Sequence, residues 1–359
     1  DTPNFDKMAK NGVQSEGLKP VFISKTFPNH YSIATGMYAE SHGLIANSFF
    51  ASDLDKHYSI RDRESVENGD FYGGEPIWVT AERQGVKTAS YFWVGTVAAV
   101  AGVHPSIRKR YDEKVPFEDR IDSVMTWFSL PMSHRPRLIM LYFHEPDWTG
   151  HEYGPSSAET VVQIQRMDGI LGTIMDQAEK LSIADKLNIL VVSDHGMTEV
   201  HPAQVIDLSV YTDLSDVTTA GAGPIVFLSS DSRKRLTVVY NDLQQLPNAQ
   251  VYWKRDIPER WHYRDHERIP DVLIVAEEGW TLMPMGHGTG MPKGDHGYDN
   301  ELTSMQAIFV ADGPAFKSGY SREVFENIHI YPLLALILGL EPYAEIDGYL
   351  DAVKDLLAD

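Results

Sequence analysis

Residues 187–197 read LNILVVSDHGM. The apolar run 189–192 does not alternate with polar residues, then breaks at once into Ser193, Asp194, His195 and Gly196. Such a run suits a strand buried on both faces. The same pattern recurs where RLIMLYF (137–143) meets HEPDWTGH and where KPVFIS (19–24) meets KTFPNH. KTASYFWV (87–94), DVLIVAE (271–277) and MQAIFVA (305–311) complete the candidate strands. Longer amphipathic segments predict helices over 27–39, 76–85, 117–129, 157–181 and 323–338, the last closed by Gly339 with Pro342 beyond. Strands alternating with helices predict an α/β fold around a buried sheet. Sites in open α/β sheets form beyond the carboxyl ends of strands, so three polar clusters at three strand ends are expected to share one edge.

At 359 residues the chain has room for one large domain or two smaller ones, with ample core; a single domain over 1–359 is expected, with 205–270, the hardest stretch to read, holding a smaller substructure within it. A formal charge of −20 repels long polyanions, which excludes nucleic-acid polymers and anionic membranes as favoured partners. A small phosphorylated substrate is compatible with that charge if bound cations cancel it locally. No apolar run approaches the roughly 20 residues of a membrane span. The absence of cysteine excludes disulfides, thiolate ligands and cysteine nucleophiles, so any metal must be held by His, Asp, Glu and hydroxyls.

Asp194-His195-Gly196 reads as a turn or as a pair of metal ligands. Asp147 and His151 stand four apart, which brings two ligands onto one face of a helical turn, although a polar loop has the same spacing. His144 and Glu145 beside them read as ordinary loop residues. A second DHG at 295–297 lies in a glycine-rich loop, with His287 as the local alternative ligand. Thr26 sits between a strand and a helix, with Pro28 in the first helical turn. It reads as an N-cap, or as a nucleophile at the positive end of the helix, where a phosphate is also favoured. A threonine hydroxyl needs strong activation. A general base contributes about 10²–10⁴-fold, whereas a zinc ion lowers the pKa of bound water from ~15.7 to about 7. Metal ligation is therefore the stronger route.

The stretches KTFPNHYSIATGMYAESHGLIAN, GGEPIWVTA, EPDWTGHEYGP, VVSDHGM and GDHGYDN, in that order, resemble the nucleotide pyrophosphatase/phosphodiesterases of the alkaline phosphatase superfamily, over nearly the whole chain. The resemblance implies an alkaline phosphatase-like core, with a largely parallel sheet flanked by helices on both faces, and two zinc ions. Thr26 is then the nucleophile and a ligand of one zinc together with Asp194 and His195; Asp147, His151 and His296 hold the other. Asp295 has no ligand role. Asn47 contacts a phosphate oxygen, Phe27 and Tyr111 sandwich a nucleobase, and Trp93 stands at the mouth of that pocket. The implied reaction splits phosphodiester or pyrophosphate bonds of nucleotides through a phosphothreonine intermediate and releases a nucleoside 5′-monophosphate. It also implies a periplasmic or extracellular enzyme.

The family has one further zinc ligand, an aspartate on a first core strand upstream of TPN, which is expected to precede the residues given. The lack of cysteine sets the chain apart from disulfide-rich animal relatives and points to a bacterial source. Two enzymatic alternatives are a phosphodiesterase for choline-phosphate or lysolipid diesters, with Tyr91, Phe92 and Trp93 around the ammonium, and a phosphomonoesterase using Lys25, Arg61 or Arg63. A non-catalytic, metal-stabilised binding protein is the alternative of another class.

Overall fold

A computed structural model of the chain describes residues 1–286 and 291–358; His287 lies outside the described residues. The strand Ile189–Val192 forms, and pairs antiparallel with Phe309–Asp312. Those two belong to a four-stranded sheet in the order Tyr320–Arg322, Val13–Ser15, Phe309–Asp312, Ile189–Val192. A three-stranded sheet places Thr88–Tyr91 between Ile107–Lys109 and Leu138–Leu141. Of these two sheets the second is wholly parallel, as are the two-strand pairings of Leu18–Lys19 with Phe325–Glu326 and of Val205–Asp207 with Thr281–Met283. The first is mixed, because Phe309–Asp312 runs against both of its neighbours. The fold is therefore mixed α/β, and the expectation of a largely parallel sheet is corrected to that extent.

Two segments depart from the expected elements for local reasons. In 19–24 only Leu18–Lys19 is a strand, pairing with Phe325–Glu326. Beyond it the buried Asn29 amide takes the backbone groups that a ladder would use. It accepts from the Val21 N–H at 2.8 Å and donates to the carbonyls of Ile23 and Lys25 at 3.0 and 2.9 Å. A side chain that satisfies backbone groups competes with secondary structure in this way. The helix expected over 323–338 covers only Ile330–Leu338, since Phe325–Glu326 is that pairing strand and Asn327–His329 a 3₁₀ turn. Gly339 caps it in the left-handed region, φ 70°.

The other helices lie close to expectation: Thr26–Thr35, Ile77–Arg83, Phe117–Phe128 and Ala158–Ala178. The last starts where the Ser157 side chain accepts from the Thr160 N–H. The buried Asp168 carboxylate on it accepts the backbone N–H groups of Asn4 and Phe5, both at 2.9 Å, and so ties down the N-terminal helix Pro3–Asn11. No helix among the described residues is long and apolar enough to cross a membrane.

The 205–270 stretch supplies most of an antiparallel sheet, ordered Thr218–Ala220, Ile225–Ser229, Val272–Ala276, Ala249–Trp253. Strand alternation sends its side chains to opposite faces. Ile225, Phe227, Leu273 and Val275 pack into the large central cluster with Phe22, Trp78 and Tyr263. Val226, Leu228, Val272 and Ile274 pack with Leu236, Val239 and Leu243 of the helix Arg233–Leu243. The substructure thus shares one face with the main core.

Candidate active site and metal centre

Thr26 is the first residue of its helix; the N-cap position is Lys25, whose side chain makes no cap. The Thr26 hydroxyl does not serve the helix end either. It lies 3.3 Å from Nε2 of His195. The Phe27 N–H is satisfied instead by Asn47 Oδ1 at 3.0 Å. Since that N–H can only donate, the atom it meets is the amide oxygen, and the Asn47 NH₂ makes no hydrogen bond among the described residues. Lys25 turns away to pair with Asp295 at 3.0 Å, and the same Oδ1 accepts the His296 N–H at 2.8 Å.

Asp147 and His151 lie on one face of the short helix Asp147–Tyr153, and His296 follows the two-residue strand Gly294–Asp295. The imidazole tautomers follow from their partners. His151 Nδ1 meets the Gly294 carbonyl and His296 Nδ1 the Ser24 carbonyl, both at 2.7 Å. A carbonyl only accepts, so each Nδ1 carries the proton and each Nε2 presents a lone pair. The two Nε2 atoms face each other at 3.2 Å. Asp147 Oδ1 lies 3.5 Å from one and 3.6 Å from the other, buried and with no hydrogen-bond donor among the described residues. Burial pushes the Asp147 carboxyl up, and burial together with His195 pushes the His296 imidazole well below its usual range, into its neutral ligand form. Three ligand atoms within 4.8 Å of one another, two imidazole Nε2 and one carboxylate oxygen, fit a cation.

A second cluster adjoins it. His195 Nδ1 donates to the Gly196 carbonyl at 2.8 Å, so its Nε2 faces Asp194 Oδ2 at 3.0 Å and the Thr26 hydroxyl at 3.3 Å. Burial pushes the Asp194 carboxyl up, but the His195 and His30 imidazoles outweigh it and hold it well below the usual range. Burial pushes His195 down and Asp194 outweighs that, so the imidazole is raised. A proton or a cation stabilises this pair. The His195 and His296 rings stack at 3.5 Å and 11°, which joins the two clusters. These contacts bring Thr26, Asn47, Asp147, His151, Asp194, His195 and His296 together, with Asp147 just beyond the strand Leu138–Leu141 and Asp194 just beyond Ile189–Val192.

His30 belongs to this centre and was missed in the sequence. Its Nδ1 lies 2.9 Å from the Thr26 carbonyl and 3.3 Å from Asp194 Oδ2. The available signal was its position four residues after Thr26 on one helix.

The aromatic residues separate. Phe27 lies 6.3 Å from Tyr58. Tyr111 is 40% exposed, edge-on to Phe92 at 5.2 Å. Trp93 is drawn inward: its indole N–H donates to the His30 carbonyl at 3.2 Å, with its ring edge-on to that imidazole. Tyr91 and Phe92 are buried, so residues 91–93 do not form an open cage for an ammonium group. Lys25 is engaged by Asp295, and Arg61 and Arg63 lie on the exposed surface.

A hydroxyl at a helix N-terminus, facing paired Asp/His clusters of nitrogen and oxygen donors, defines a centre suited to metal-assisted hydrolysis. Comparison with known families places it: the model described as type I phosphodiesterase / nucleotide pyrophosphatase matches residues 1–299. The chain belongs to this family of hydrolases. It is 38% identical over 366 residues to the mouse bis(5′-adenosyl)-triphosphatase enpp4, covering 100% of this chain and 78% of that protein. It is also 38% identical over 352 residues to the human ectonucleotide pyrophosphatase/phosphodiesterase family member 1, covering 95% of this chain but 38% of that longer protein. Murine ectonucleotide pyrophosphatase/phosphodiesterase 5 superposes with a TM-score of 0.95 at 35% identity, covering 99% of this chain and 95% of that one. A second structure of that murine protein, equally similar, is an inactive threonine-to-alanine form in complex with AMP.

Proposed function

We propose that the chain hydrolyses phosphodiester and pyrophosphate bonds of nucleotides through attack by Thr26, releasing a nucleoside 5′-monophosphate, and that its core has the alkaline phosphatase-like arrangement. The observation that carries this is the Thr26 hydroxyl, free of any capping role and 3.3 Å from His195 Nε2, beside a second cluster of unshared electron pairs. In this reading Thr26, Asp194 and His195 hold one zinc ion, and Asp147, His151 and His296 hold another. When bound, such ions lower the pKa of a coordinated hydroxyl or water and offset the charge of phosphoryl oxygens.

The chain's own residues supply the remainder. The helix N-terminus at Thr26–Phe27 favours an anionic phosphoryl group. The Asn47 NH₂, turned by the Phe27 N–H, donates to a phosphoryl oxygen. Thr26 Oγ1 bonds to phosphorus as the leaving oxygen departs, and water then splits the phosphothreonine ester. Phe27 and Tyr111 flank the base; Trp93 supports the pocket through His30 rather than from its mouth. Residues 1–359 act as one catalytic domain. A periplasmic or extracellular compartment and a bacterial source belong to the same proposal, the latter resting on the absence of cysteine.

The test is to quench turnover of a nucleotide labelled at its α-phosphorus in acid and map the labelled peptide. Label on Thr26 supports the reading; turnover with label nowhere on the chain contradicts it.

A further inference from the structure

The second DHG, at 295–297, brings His296 to Asp147 and His151, but Asp295 is not among those donors. Its loop nevertheless touches both clusters. The Gly294 carbonyl meets His151 Nδ1 at 2.7 Å. Asp295 Oδ1 accepts from Lys25 Nζ at 3.0 Å and from the His296 N–H at 2.8 Å. The His296 ring donates through Nδ1 to the Ser24 carbonyl at 2.7 Å and stacks on His195. Ser24 Oγ in turn donates to the Tyr298 carbonyl at 3.0 Å. Residues 24–26 and 294–298 are therefore laced together, and the Lys25–Asp295 pair is the charged link among these contacts.

Lysine runs against local preference here. Lys25 is the N-cap of the helix Thr26–Thr35, a position that favours Ser, Thr, Asp and Asn. A cation there also faces the positive end of the helix. Nor is the pair a strong source of stability. Its side chains are 19% and 9% exposed, and desolvating two charges offsets most of what their attraction returns. The surroundings still make room for it. A Cβ at Gly297, φ 118°, would stand 2.5 Å from Lys25 Cε, and one at Gly223, φ 84°, would stand 2.7 Å from Asp295 Oδ2. Departures from local preference are expected at functional sites. We propose that Lys25 and Asp295 are positioning residues that tie the loop of Thr26 to the loop of His296 and so set the spacing of the two donor clusters. Thr26, Asp194 and His195 are then held at a fixed distance from Asp147, His151 and His296. A misplacement of about 1 Å between reacting groups can cost roughly 10²-fold in rate, so such a link acts on turnover more than on folding. The inference rests on the assignment of the two clusters above.

The test cuts the link without leaving a charge unpaired. In Lys25→Met/Asp295→Asn the amide oxygen still accepts the His296 N–H, and methionine keeps an unbranched stem in place of lysine. Zinc is titrated into the metal-free protein, kcat and KM are measured on ATP, and unfolding by denaturant is followed without metal. The double variant should unfold close to wild type. Its zinc affinity should fall by about 10- to 100-fold and its kcat by a similar factor, with KM within about threefold. Lys25→Met alone should match it in zinc affinity and kcat, because either change cuts the same link. Asp295→Asn alone should also unfold more easily, since it leaves the Lys25 cation buried and unpaired. Full zinc affinity and kcat in the double variant would make the pair a structural one and overturn the inference, as would unchanged values in all three variants. A wild type that binds no zinc would overturn the two-cluster reading and this one with it.

Discussion

The centre around Thr26 and the antiparallel sheet of residues 218–276 solve opposite problems with the same chain. In the sheet, backbone donors and acceptors meet their complements along the ladder from Ile225↔Val275 to Leu228↔Val272. Its side chains alternate between two apolar clusters. In the centre, electron pairs face electron pairs: His151 Nε2 meets His296 Nε2 at 3.2 Å, and Asp147 Oδ1 faces both. Buried acceptors without donors cost roughly 1–3 kcal/mol each. The rest of the fold, the sheet included, has to offset that cost until a cation is bound. The difference teaches where to look for function in this chain: in the polar groups the fold leaves unmatched.

Substitutions in the two regions should therefore separate rate from stability. Thr26→Ala should lower kcat by on the order of 10³ or more, since the covalent route is lost. Its melting temperature should stay close to wild type, because the hydroxyl caps nothing in the helix. Retention of a tenth of the wild-type kcat would show that the hydroxyl is not the nucleophile. Leu273→Ala should do the reverse. The side chain is fully buried, and its loss should cost about 2–5 kcal/mol in denaturant unfolding, with kcat per folded molecule unchanged. A large fall in kcat at full folding would show that the sheet shapes the centre directly.

The smallest effect concerns Asp53. Its carboxylate accepts from Arg268 Nε at 2.7 Å and Nη2 at 2.6 Å, while Arg268 also donates to the carbonyls of Gly43 and Phe71. The Arg268 hydrogen bonds hold the Asp53 carboxyl below its usual range. A carboxyl lowered in the folded state stabilises fully above its unfolded pKa, about 3.9, and loses that contribution as pH falls through the folded value. Because Asp53 is exposed and its pairing is screened by solvent, Asp53→Asn should cost at most about 1 kcal/mol at neutral pH, and the gap between variant and wild type should close on acidification below about pH 4. A gap that is constant with pH would assign the loss to packing.

Much of this was legible in the sequence, for physical reasons that can be named. Ile189–Val192 and Val272–Ala276 are apolar without interruption, so little else competes with a buried strand there. The segment 19–24 looks the same on paper, but Asn29, several residues ahead, captures its backbone. A local pattern does not show that a distant side chain will do so. The cap reading of Thr26 misplaced the helix start by one residue, enough to turn a structural hydroxyl into a free one. The Asp and His residues were conspicuous as types. Their opposed lone pairs were not, because tautomers depend on the carbonyls of Gly294, Ser24 and Gly196 that the fold brings to them. His30 and the inward turn of Trp93 depend on each other in the same way.

The most direct measurement is the number of zinc ions retained per chain after dialysis to equilibrium, for the wild type and two variants. The account predicts two ions in the wild type. It predicts one in His151→Ala/His296→Ala, which dismantles one cluster, and one in Asp194→Asn/His195→Ala, which dismantles the other. The metal-free protein should lose little or no stability on His151→Ala, since that change removes one of two opposed lone pairs. A wild-type chain that retains no metal, or a variant of either cluster that still retains two ions, would contradict it.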